Sequence, residues 1–198
     1  GASVDTRVPR IRRKLAAVPF HPHRSHSFGE ERHRFRLGPT VPASRLTDFE
    51  DIHAVVLPDA YRQFLLHMGG SGAAPFYGLS DPTGRERPPL YTMDPPGTAR
   101  GFGGVAPGEA RRDLFLHIIE MGCTDMALIA VTGPLTGRIV IGNADGSWGP
   151  NVSSARDFLG WYERWLDHMT AGKDNRALEL TSPALRAHPG RNRLAPIS

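Results

Sequence analysis

With 198 residues, 39% of them apolar and 22% charged, the chain fits one globular domain with appended segments, long enough to bury a core without staples. Its one cysteine, Cys123, excludes a disulfide framework and any multi-cysteine metal site; no apolar run nears the ~20 residues of a bilayer span or follows a charged leader, so a cytoplasmic protein with no membrane contact is expected. The net charge of +4 hides a division: residues 1–36 hold nine basic and three acidic side chains, residues 171–198 five and two, but residues 37–170 ten and fifteen.

Gly1-Ala2-Ser3 reads as a cloning remnant rather than a natural start. Residues 1–32 show no sustained period and are expected to form a basic, poorly ordered arm. The run Arg7-Val-Pro-Arg-Ile-Arg-Arg-Lys14 within it has two readings, a contact for nucleic acid or an anionic surface and, more simply, a solvated arm. His21, His23 and His26 have a tag-like spacing but no rigid surround for a metal, and no metal or cofactor is expected.

The domain proper is expected over 33–170. His33-Arg-Phe-Arg-Leu37 alternates as a short edge strand would, stopping at Gly38-Pro39. Thr47-Asp-Phe-Glu50 has the form of a capping box and predicts a helix start. Pro58 suits the first turn of a second helix carrying Tyr61, Phe64, Leu65 and Met68 on one face, closed at Gly69-Gly70 by a left-handed cap. From Ser71 to Pro107 glycine and proline are dense, and only Phe76-Tyr77-Gly-Leu79 reads as packed.

Three apolar runs follow, 114–121, 126–131 and 138–141, joined by short turns that force antiparallel pairing. The middle run is apolar throughout and should be a central strand covered on both faces. Ser154-Ala-Arg-Asp157 resembles a second capping box, leading to a helix with Phe158, Tyr162, Trp165, Leu166 and Met169 in one stripe. Residues 171–198 read as a loose basic tail, with one helical turn near Ala177 to Leu180. The pattern is α+β, a twisted and mainly antiparallel sheet packed against helices.

Several motifs carry little chemistry. Gly101-Phe-Gly-Gly-Val-Ala106 matches a dinucleotide fingerprint but lacks the flanking strand and helix. Ser71 follows a helix, not the strand of a nucleophile elbow. His117 and Cys123 stand roughly 20 Å apart on an extended run, too far for a nucleophile and its base. The carboxylates are more suggestive: Glu120, Asp125 and Asp145 fall at strand ends or turns of the meander, Asp94 and Asp113 flank the long loop, and several of them are expected to gather on one acidic rim. Trp148 lies in a Gly-Ser-Trp-Gly-Pro loop suited to an exposed interface anchor, and Tyr77 is a second such anchor. An acidic middle disfavours nucleic acid as a partner and favours a basic protein.

Leu57-Pro-Asp-Ala-Tyr-Arg-Gln-Phe-Leu-Leu followed by Gly69-Gly-Ser-Gly-Ala-Ala-Pro-Phe-Tyr-Gly-Leu79 resembles the SUKH superfamily, which includes the yeast cell-wall synthesis regulators and many bacterial relatives. Glu120-Met-Gly-Cys123, Leu128-Ile-Ala-Val-Thr-Gly133, Gly137-Arg-Ile-Val140 and Phe158-Leu-Gly-Trp-Tyr-Glu-Arg-Trp-Leu166 are similar to its actinobacterial branch. Where that branch has an aromatic and then an acid after its G-x-V strand, this chain has Ile141-Gly142. The resemblance implies an α+β fold without a cofactor and, for bacterial members, an immunity protein that binds and neutralises a toxin, often a basic nuclease. Two alternatives stand beside it: a regulatory or scaffold module recruited through its basic arms, and a small tailoring enzyme using clustered carboxylates. A monomer or weak homodimer is expected.

Overall fold

The computed structural model describes residues 3–84, 90–93, 102–105, 113–122, 125–143, 151–173, 185–187 and 194–196. Its helices are α1 (Arg7–Ala17), α2 (Glu30–His33), α3 (Ala43–His53), α4 (Asp59–His67) and α5 (Phe158–Thr170). Its strands are β1 (Leu90–Met93), β2 (Phe102–Gly104), β3 (Phe115–Glu120), β4 (Asp125–Ala130), β5 (Ile139–Asn143), β6 (Asn151–Val152), β7 (Leu185–Ala187) and β8 (Leu194–Pro196). They form one open antiparallel sheet in the order β2-β1-β3-β4-β5-β6-β7-β8, and the class is α+β.

β4 is central within the meander and buried on both faces, because its side chains alternate between two apolar clusters. Ala127 and Ile129 join the core under the helices, whereas Met126, Leu128 and Ala130 pack with Phe115, Val140 and Val152 on the other side. A register shift between His117 and Ile119 turns both Ile118 and Ile119 toward the helices. His117 stays on the opposite face, where its Nε2 donates to the Ile119 carbonyl at 3.0 Å.

α5 lies against the sheet through Phe158, Trp161, Tyr162, Trp165, Leu166 and Met169, all fully buried. Phe64 of α4 meets Phe158 and Tyr162 at 4.8 and 4.7 Å between centroids, in the tilted and edge geometries that aromatic quadrupoles favour. The Tyr162 hydroxyl donates to the Ala73 carbonyl at 2.6 Å and pins the glycine-rich segment to the core. The helix begins at Asp157, whose carboxylate accepts the Gly160 amide at 2.9 Å; Ser154 is not the cap and its hydroxyl instead accepts from Arg164.

The largest departure from the sequence reading is at the N-terminus. Residues 7–17 are not a poorly ordered arm but a core helix, with Val8, Ile11 and Leu15 buried and Val18 following them inside. Each such side chain contributes about 1.5–3 kcal/mol when removed from water, enough to seat the helix. The expected edge strand 33–37 is also absent, since only Leu37 forms a bridge, to Gly72. Arg34 and Phe35 instead take left-handed φ of 52° and 59°, a conformation costing a non-glycine residue ~1 kcal/mol or more. The turn drives Phe35 inward to stack on Trp165 at 5.9 Å.

α3 starts at Ala43 after Pro42, so Thr47 is mid-helix and the capping box does not form. Glu50 serves the next turn instead, accepting the Leu57 amide at 2.8 Å and pairing with Arg62. Gly69 and Gly70 do not make a left-handed cap, for neither has positive φ. Their lack of a side chain is needed for close approach: a Cβ on Gly69 would lie 2.6 Å from the Gly38 carbonyl oxygen, and one on Gly70 2.7 Å from Val41. At the other end, residues 185–187 and 194–196 extend the sheet rather than hang as a loose tail, and the helical turn expected at 177–180 lies outside the described residues.

Candidate interaction surface

Of the carboxylates expected on an acidic rim, the three among the described residues do not converge at one point. Glu120 closes β3 and Asp125 opens β4, but Glu120 is level with Met126, so Asp125 projects from the other face of the hairpin. Asp113 precedes β3 at its opposite end, roughly 20 Å away along the strand, with its carboxyl against Gly133. Two carboxylates at opposite ends of a strand cannot act on one substrate atom, so Asp113 makes no acid-base pair with Glu120 or Asp125. Glu120 lies 4.0 Å from His117 Nε2. Asp94, Asp145, Trp148 and Cys123 lie outside the described residues.

Tyr77 is half-buried and packs by its edge on Phe28 at 5.5 Å, with the Arg32 guanidinium 5.5 Å over its ring. Its Cε2 comes within 3.6 Å of where a Cβ on Gly122 would stand, so it reaches the β3–β4 turn. Phe28 beside it is 52% exposed.

The acids of α5 are already occupied. Arg7 makes two parallel bonds of 2.9 Å to Asp157 and also holds Asp5; Arg10 grips Glu163 through two bonds of 2.6 and 2.7 Å; Lys14 bridges Glu163 and Asp167. Positions 7, 10 and 14 line one face of α1 next to the apolar stripe 8, 11, 15, so the basic stripe lands on α5 whenever the core closes. The Arg10 hydrogen bonds, then Lys14, hold the Glu163 carboxyl down at about 2 against the opposing effect of burial. Burial pushes Asp157 upward, but Arg7 and the Gly160 amide outweigh it and leave that carboxyl below the usual range.

Elsewhere Arg24 pairs with Glu30 and Arg45 with Asp81. A further group of carboxylates lies on α3 and at the start of α4. Asp48, Asp51 and Asp59 are exposed and make no ion pair among the described residues. Asp48, Asp51 and Ile52 share one helix face by their i, i+3, i+4 spacing. Ile52 is 64% and Val56 75% exposed, two large aliphatics interleaved in the chain with these three carboxylates. Val56 faces out because its neighbours face in: Ala54 ends α3 in the left-handed conformation, Val55 and Leu57 are buried, and Glu50 fixes the Leu57 amide. Sequence reasoning missed this corner; the usable signal was an isoleucine beside two aspartates, off the inward stripe of Leu46 and Phe49.

Among the described residues no three His, Cys, Asp or Glu side chains are placed to hold a metal ion, and no helix is long and apolar enough to cross a membrane. No family model, curated protein or solved structure matches the chain.

Proposed function

We propose that this chain is a protein-binding domain rather than an enzyme, an immunity protein of the cytoplasm that holds a basic toxin on the α3–α4 corner. The observation that carries the reading is the coincidence of exposed Ile52 and Val56 with unpaired Asp48, Asp51 and Asp59. Interfaces are built this way, an apolar centre that sets the dissociation rate inside a charged rim that steers encounter. The SUKH-like motifs support the same reading, since the corner opens directly into the Leu57-Pro-Asp-Ala-Tyr61 segment. The acidic site moves from the meander to α3, while the kind of partner stays as the charge division suggested.

The test is co-expression with the product of the neighbouring gene, followed by titration calorimetry on the purified pair. A stable complex is expected, weakened at least tenfold by Asp48→Lys with Asp51→Lys and left within twofold by Glu120→Gln. Failure to bind, or binding indifferent to the α3 pair, overturns the proposal.

A further inference from the structure

We infer that the chain associates with itself head to tail, the arginine-rich turn of one copy seated on the α3–α4 corner of the next. This does not depend on the toxin reading; it needs only that two complementary surfaces exist on one molecule.

The second surface is the segment from Arg32 to Arg36. Burial alternates along it, with His33 and Phe35 inside and Arg32, Arg34 and Arg36 exposed. None of these arginines has an ion pair among the described residues. The left-handed backbone at Arg34 and Phe35 turns Phe35 under Trp165 and leaves the cations facing water. Phe28 stands beside them, half in solvent, joined through Tyr77 to Arg32. The nearest acids are engaged within the same turn: Glu30 holds Arg24 and the Ser27 amide, and Glu31 holds His26. Strained backbone persists only where the surroundings enforce it, and such sites concentrate at functional surfaces.

Set against the corner, the match is one of kind and number. Three arginines without an ion pair among the described residues, one of them, Arg32, lying over Tyr77, and an exposed aromatic face three aspartates likewise without an ion pair and two exposed aliphatics. Arginine presents a planar fork to each carboxylate, and Phe28 supplies apolar area to Ile52 and Val56. The two surfaces differ, so the contact is heterologous: each copy keeps one free surface of each sign, and growth is open-ended unless the rotation closes a ring. The surfaces are small, so the association is weak and sensitive to salt. A basic partner bound at the corner would displace the neighbouring copy.

Sedimentation equilibrium on the full chain tests this, from about 0.05 M to about 0.5 M NaCl, across which the Debye length shortens roughly threefold. The average mass should rise with concentration at low salt and return to the monomer at high salt. Asp48→Arg with Asp51→Arg, and separately Arg34→Glu with Arg36→Glu, should each be monomeric, with melting temperatures near that of the parent. Mixed in equal amounts, the two variants should associate again, because the arginine turn of the first fits the acidic corner of the second and the reversed pair restores the same attraction with its signs exchanged. A parent that stays monomeric at every concentration in low salt overturns the inference. So does association that survives in either variant, or a mixture that does not pair.

Discussion

The α1–α5 interface and the α3–α4 corner are made from the same ingredients and end in opposite states. Both set aspartate or glutamate beside aliphatic side chains on a helix. On α5 the acids meet Arg7, Arg10 and Lys14, and the aliphatics of α1 vanish into the core. On α3 nothing covers Asp48, Asp51 and Ile52 among the described residues. The charge that matters for recognition is therefore what remains after folding. A segment that carries much of the chain's positive charge spends three of its cations internally, far from any partner.

This contrast can be broken first at α1. Ile11→Ala removes a fully buried side chain and should cost about 2–5 kcal/mol in denaturant unfolding, and removal of residues 3–20 should prevent cooperative folding. A solvated arm would show neither effect. The result also bears on the scaffold alternative, because truncation of this region cannot separate recruitment from collapse of the fold.

Glu163→Gln comes next, with an expected loss of roughly 1–2 kcal/mol, since Arg10 and Lys14 both lose their charged acceptor. Its pH profile sharpens the point. The unfolded chain binds a proton at Glu163 near 4.5, whereas the folded chain resists until about 2, so this stabilisation is complete above 4.5 and lost as pH falls toward 2. The variant should show a flatter acid limb in thermal melts. A separate loss should begin below about 6.5, where burial lowers His33, His53 and His168 in the folded state and the unfolded chain takes up the protons first.

At the corner the expected effect on stability is smaller still. Asp48→Asn with Asp51→Asn should change unfolding by less than about 0.5 kcal/mol, as exposed unpaired groups do. A larger loss would mean that these aspartates serve the fold and are not free for a partner.

The parts of the fold legible in the sequence were those whose signal is local. The meander announced itself by β-branched runs and short turns, and α4 and α5 by aromatic stripes at helical spacing. α1 was also written in plain view, at Val8, Ile11, Leu15 and Val18, but five basic residues between positions 7 and 14 made the stretch read as solvated. The counter-charges that settle it are about 150 positions away, beyond any window of periodicity. The placement of Asp113 was hidden for a related reason. Asp113 and Glu120 are close in sequence, yet β3 carries them to its opposite ends. The corner escaped notice because α3 was started at Thr47, which hid the register in which Ile52 faces outward while Leu46 and Phe49 face in.

Arg7 and Asp157 stand 150 positions apart, and that distance sets an order of events on the ribosome. At about 5–20 residues per second, the first helix waits roughly 10–30 s before the acids that neutralise it have been synthesised. During that interval a cationic amphipathic segment emerges beside the anionic RNA of the machine that makes it, with its greasy side unsheltered. The burial of α1 therefore waits on α5, and a substitution that weakens α5 leaves the apolar side of α1 uncovered.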